Sequence, residues 1–156
     1  MRTFAYRMGS GVDAPHEYFV LLHSAEAPDA ATWSQYVDAL ARRITKGTKT
    51  IHVFAVTDGG GPDPGQRRAL AAAFALDRRG STTHVFTTNP VTRGIVTAFQ
   101  WLARSRVTAH PPASFRLLCE QLHIPTTAVL DDLRALAKDL PPVALLEQIE
   151  RMSRRD

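Results

Sequence analysis

A single cysteine, Cys119, in 156 residues excludes an intrachain disulfide and any cysteine-based zinc cluster. Long apolar runs are missing as well: no stretch reaches the roughly 20 residues that a membrane-spanning helix needs. The opening MRTFAYRMGSGVDAP has no apolar signal core. A cytoplasmic protein without membrane insertion is the expectation. Charge of one sign is also scarce. Nineteen Lys and Arg against 15 Asp and Glu leave only +4, and the arginine pairs 42–43, 67–68, 78–79 and 154–155 are scattered over helix ends and polar faces. Nucleic-acid binding wants a concentrated basic stripe, so the pattern argues against it.

Catalytic and nucleotide fingerprints are absent too. There is no GxxxxGK[ST], and the prolines of GGGPDP break the GxGxxG spacing. No serine stands in GxSxG. Six histidines lie on different elements without an HxH, HxxxH or HExxH pair, so no metal or other cofactor is expected. His52 and His84 fall on adjacent strands, where a hydrogen-bonded pair is the simpler reading. Cys119, among Leu117, Leu118 and Leu122, reads as a core residue.

What is present is an ordinary globular balance, 44% apolar and 22% charged, in a chain long enough to bury a core. TFAYRMG and EYFVLLHS read as two opening strands joined by a short turn, hence antiparallel. Helix and strand patterns then alternate. PDAATWSQYVDALARRITKG has an Asp29 cap, Trp33, Val37, Leu40 and Ile44 inward, and Gly47 as its stop. TKTIHVFAVTD, without a charge from Ile51 to Val56, reads as an interior strand covered on both faces. PDPGQRRALAAAFALDRRG is a second helix, with Leu70, Phe74 or Ala73, and the Leu76 side inward. THVFTTN, NPVTRGIVTAFQWLARS, RVTAHPP and SFRLLCEQLHI continue the alternation. The fold class expected is α/β: a mixed, mainly parallel sheet of about five strands with helices packed on it. Residues 1–124 form that domain. Residues 125–156 carry two more helical patterns, with stripes Val129–Leu133–Leu136 and Leu145–Ile149–Met152, and read as a C-terminal helical appendage.

Two stretches could carry function. In TDGGGPDPGQ, Asp58 closes the central strand and Gly59, Gly60 and Gly61 lead into a helix that Asp63 or Pro64 starts. Strand, glycines and helix N-terminus in that order suit an anion, but the two prolines remove amide donors, and a tight turn explains the same residues. Asp58 is a metal or base candidate by position and a turn or cap acceptor by frequency. In NPVTRGIVTAFQW, Asn89 fits N-cap and Pro90 fits N1. Arg93 on the first turn either binds an anion or pairs with Asp58 or Asp63. Gly94 allows close approach of sheet or partner. Trp101 and Phe99 lie on roughly opposite helix faces, so one of them is a candidate for an exposed docking aromatic, against the alternative that both are core.

Over roughly residues 1–122 this layout resembles STAS domains, the fold of bacterial anti-sigma-factor antagonists. Two opening strands, a strand-end acid with a glycine loop of the GPDPGQRR type, and an RG turn into an A-x-x-W helix carry the likeness. The resemblance implies regulatory protein docking at the loop after the third strand, where family members place a phosphorylatable Ser or Thr behind an Asp. Here Asp58 is followed by glycines, so the phosphoacceptor is missing. With no convergent catalytic set, the leading expectation is a non-catalytic signalling module. It would bind a protein partner, or a second copy of itself, through residues 58–66 and 88–94. The alternative is a sensor of a small nucleotide or anion on the same edge, and the third reading is an enzyme using Asp58 as general base.

Overall fold

The computed structural model describes residues 2–9, 16–103 and 106–154, and the side chains of 98–103 lie outside the described residues. Five strands form one sheet in the order β1-β2-β3-β4-β5. They are β1 Phe4–Met8, β2 His16–His23, β3 Thr50–Thr57, β4 Thr82–Phe86 and β5 Val107–His110. β1 runs antiparallel to β2, with Phe4 opposite His23, and the other pairings are parallel. The α/β class and the mainly parallel sheet are as the alternation of patterns led us to expect.

Strand order equal to chain order has a geometric consequence. Crossovers of one hand then all step in one direction and lay their helices on one face. Accordingly α1 (Ala30–Lys46), α2 (Pro64–Ala75) and α3 (Pro90–Ala103) share a face. Trp33, Tyr36, Leu40, Ile44, Leu70 and Val96 from these helices pack on Phe19, Leu21, Ile51, Val53, Ala55 and Val85 of the strands. On α1 the buried positions are Trp33, Tyr36, Leu40 and Ile44, with Val37 only partly buried. On α2, Leu70 and Ala73 are buried, while Leu76, expected inward, is 54% exposed. Leu76 is the C-cap of α2, so its side chain lies past the last turn that faces the sheet.

The opposite face is closed by α4 (Phe115–Gln121), α5 (Thr126–Ala137) and α6 (Ala144–Ser153). Val129, Leu130, Leu133, Leu136, Leu145, Leu146 and Ile149 bury against Tyr18, Val20, Leu22, Phe54, Val56 and Phe86. The C-terminal pair that the sequence presented as an appendage packs into the second core and supplies a large share of it. This explains the charge-free run of β3, whose Val53 and Ala55 face one core and Phe54 and Val56 the other. Met152, taken above as part of the inward stripe of α6, is 37% exposed. Among the described residues no helix is long and apolar enough to cross a membrane.

Two polar contacts fix the tail in place. Asp132, buried on α5, accepts from the Tyr18 hydroxyl at 2.5 Å and lies 3.5 Å from Arg7 Nε. Asp58, at the end of β3, accepts the amides of Ala144 at 2.7 Å and Leu145 at 2.9 Å, satisfying donors at the start of α6.

Candidate functional site

The loop after β3 turns a corner under tight constraint. Thr57 Oγ1 donates to the Gly60 carbonyl and accepts the Gly59 amide at 3.0 Å. The Gly60 amide donates to the Ser24 carbonyl at 3.0 Å. Gly59 holds φ +129°, and a Cβ on Gly60 would fall on the carbonyl oxygens of Ser24 and Glu26. These two positions need glycine for conformation and for close approach. Two of the three glycine amides are spent inside the protein, so the phosphate-cradle chemistry of such loops is largely used up here.

The other candidate residues of the two stretches separate into structural and exposed groups. Asp63 caps α2 by accepting from the Gln66 amide at 2.8 Å, and Gln66 Oε1 accepts the Asp63 amide at 2.9 Å, with Pro64 at the first helical position. Asn89 Oδ1 accepts from the amides of Val91 and Thr92 at 2.9 and 3.1 Å, capping α3. Thr92 Oγ1 donates to the Gly59 carbonyl at 3.1 Å and joins the two stretches. Arg93 is exposed, its Nη2 3.5 Å from the Thr87 carbonyl. Among the described residues no ion pair joins it to Asp58 or Asp63; Asp58 is turned to α6 instead. Gly94 and Gly61 face open space. The side chains of Trp101 and Phe99 are outside the described residues.

Beneath this loop lies a cavity of about 260 Å³ between the sheet and α1–α3. Its floor runs from Thr83 and Val107, near the starts of β4 and β5, through Val85 to Leu21 and His23 of β2 and Ala55 and Thr57 of β3, in the C-terminal halves of those two strands. The C-terminal end of a parallel sheet, where the cavity meets the loop, is where α/β proteins place ligands. Trp33 and Tyr36 of α1, Leu70 of α2 and Val96 of α3 form the roof, and Gly59, Gly60 and Gly61 form the rim. Space exists here because the centre of the floor is Ala55 and the rim has no side chains.

The lining is mainly apolar, and among its polar side chains Thr57, Thr92 and Arg67 donate to backbone carbonyls. His23 Nδ1, the Tyr36 hydroxyl and Thr83 Oγ1 are buried without a hydrogen-bond partner, and all three residues line the cavity. A buried polar group left unpaired costs about 1–3 kcal/mol, and these three, on the roof and the floor of one cavity, have hydrogen-bonding capacity that no protein group uses. Burial holds the His23 imidazole down to about 3 and pushes the Tyr36 phenol above its ordinary range, so both stand neutral at pH 7. Among the described residues Arg67 is the one Lys, Arg, Asp or Glu on the lining, and its Nη1 donates to the Pro62 carbonyl at 2.9 Å. A more open depression of about 550 Å³ near α4 and α5 is lined by charges that pair with one another, Arg116 with Glu120 and Arg134 with Asp131.

Four of the histidines form a diagonal row on the second face of the sheet. His52 Nδ1 and His84 Nε2 are 3.2 Å apart, His84 Nδ1 and His110 Nε2 3.1 Å, and the His16 ring centres 5.0 Å from that of His52. The parallel registers offset by two residues per strand bring them together. Both nitrogens of His84 face other imidazoles, so its neutral form, one donor and one acceptor, fits the row. Burial first, and the neighbouring imidazoles second, lower His52 to about 4 and His84 to about 3. Among the described residues no group of three or more His, Cys, Asp or Glu is arranged to hold a metal ion. Burial pushes the Cys119 thiol up to about 12, which leaves it without thiolate reactivity.

No family model, no curated protein and no solved structure matches this chain.

Sequence reasoning found the loop and missed the cavity. Asp58, Asp63 and Asn89 drew attention as strand-end and helix-start groups and serve as caps. The signal for the cavity was polar residues at helix-facing positions of covered strands: His23 follows Phe19 and Leu21 on one face of β2, and Thr83 precedes Val85 on one face of β4.

Proposed function

We propose that the chain is a non-catalytic binding module that takes a small molecule into the cavity under the glycine loop. The observation that carries this reading is the set of three unpartnered buried polar atoms on a mainly apolar cavity between the sheet and α1–α3, under the loop that follows β3. The spent glycine amides, and a lining whose one charge among the described residues is Arg67 beside the rim, favour an uncharged ligand over the nucleotide or anion considered from sequence.

A thermal-shift panel of small uncharged molecules, nucleotides and inorganic anions tests it. A ligand at about a hundred times its dissociation constant adds about 2.7 kcal/mol, which moves the midpoint of a domain this size by several degrees. The shift is expected to saturate and to vanish in Ala55→Leu, which fills the floor. A panel without any shift, or a shift unaffected by filling the cavity, contradicts the reading.

A second reading, regulatory docking of a protein partner, is favoured by α3 itself. Val91 is 71% and Ile95 42% exposed one turn apart, beside exposed Arg93 and Gly94, while Thr92, Ile95 and Val96 of the same helix line the cavity. Occupancy could thus be read on the outer face of α3. This reading keeps the STAS-like role of a bacterial cytoplasmic regulator without a phosphoacceptor, and moves its docking edge from residues 58–66 toward 88–95. Arg93→Glu is expected to remove partner binding with little loss of stability; unaltered binding by the folded variant contradicts it.

A further inference from the structure

We propose, on the ligand-binding reading above, that the cavity takes an uncharged aromatic molecule of about ten non-hydrogen atoms carrying one or two hydrogen-bonding groups. Size comes first. An apolar cavity of about 150 Å³ holds one benzene, so about 260 Å³ matches a fused bicyclic ring with a substituent.

The walls exclude a cation and offer an anion little. His23 and Tyr36 are neutral for the reasons given above, and the one charged group on the lining among the described residues is the half-buried Arg67, which donates to the Pro62 carbonyl next to the glycine rim. A cation entering this space would lose its water without gaining a counter-charge, and an anion would find one only beside that rim.

The aromatic preference comes from the α1 roof and the floor residue next to it. Trp33 and Tyr36 have ring centroids 5.4 Å apart, and His23 lies 6.4 Å from Trp33. Such rings meet a further aromatic edge or face favourably. Orientation comes from the unpartnered groups, because they lie on both layers. Tyr36 belongs to the helix roof, and Thr83 and His23 to the sheet floor. A ring substituent with a hydroxyl or N–H can bridge roof and floor, which a hydrocarbon cannot. Either hydroxyl can donate or accept, and His23 Nδ1 does one or the other according to its tautomer.

Titration calorimetry of the full chain with 2-naphthol, naphthalene and 2-naphthoate tests the class. The three probes share a frame and differ in polarity and charge. 2-Naphthol is expected to bind about tenfold more tightly than naphthalene, the worth of one well-placed hydrogen bond, and 2-naphthoate more weakly than both. Tyr36→Phe and Thr83→Val remove one polar group each with little change of shape. At least one of them is expected to bring 2-naphthol close to naphthalene while leaving naphthalene unchanged, and thermal melts of both variants check the fold. Naphthalene equal to 2-naphthol, 2-naphthoate as the tightest probe, or 2-naphthol affinity untouched by both substitutions overturns the class and leaves the cavity a ligand site. Failure of all three probes to bind, together with a flat thermal-shift panel, overturns the ligand-binding reading as well.

Discussion

The hydroxyl of Tyr18 on β2 donates to the buried carboxylate of Asp132 on α5 at 2.5 Å, across 114 residues of chain. A charged acceptor held by a neutral donor and by Arg7 ties the C-terminal helices to the first two strands. Hydrogen bonds to charged groups contribute about 1.5–3 kcal/mol. Tyr18→Phe is therefore expected to lower unfolding free energy by about 2 kcal/mol in urea titration, with an unchanged denaturant slope. Removal of residues 125–156 goes further: it uncovers Val20, Leu22, Phe54 and Val56, and the truncated chain is expected to lose cooperative unfolding. A sharp two-state transition in the truncated chain would show that the tail is dispensable after all.

The two neighbouring glycines of the loop are expected to behave in opposite ways. Gly60→Ala places a methyl on the backbone oxygens of Ser24 and Glu26, whereas Gly61→Ala meets nothing within 4 Å. The first is expected to cost about 1–3 kcal/mol, as overpacking does. The second should lie within about 0.5 kcal/mol of the parent, as substitutions away from such features do. Thermal melts of the pair, side by side, decide this. Equal effects would mean that the 24–26 segment yields to the added methyl.

Asp58 is a cap, and its replacement should behave as one. Asp58→Ala removes the acceptor of the Ala144 and Leu145 amides and is expected to cost about 0.5–2 kcal/mol while leaving ligand affinity in the cavity unchanged. Lost ligand affinity in a folded Asp58→Ala protein would return the acid to the functional site.

Acid should weaken the fold before its carboxylates titrate. His23, His52 and His84 have folded pKa values of about 3, 4 and 3, below the unfolded value near 6.5. The unfolded chain thus binds more protons, so stability is full above pH 6.5 and falls as pH drops through 6 toward 4. Each histidine contributes up to about 1.4 kcal/mol per pH unit in that window. Urea midpoints at pH 7, 6 and 5 are expected to fall progressively, and less steeply in His52→Gln/His84→Gln. A flat profile from pH 7 to 5 would mean that these histidines meet water in the folded state.

What the sequence revealed followed from local physics. The charge-free β3, the Asp29 and Asn89 caps and Pro64 and Pro90 at first helical positions each depend on neighbours within a few residues, and the sheet and its helices were legible from them. The second core was hidden in Leu130, Leu146 and their neighbours, because an amphipathic stripe shows that a helix buries one side and not what it buries it on. The cavity was less legible still. It depends on Ala55 being small where Thr83, Tyr36 and His23 converge from three elements, a coincidence of registers that no local pattern encodes. Asp58 attracted attention by its strand-end position, yet its partners lie 86 and 87 residues away.

The most direct test of the central claim is an amide ¹H–¹⁵N spectrum of the full chain titrated with 2-naphthol. The account predicts saturable shifts concentrated at residues 55–61, 83–85 and 92–96, the walls and rim of the cavity. Shifts confined to the outer face of α3 or to residues 116–154, with the cavity residues unmoved, would contradict it.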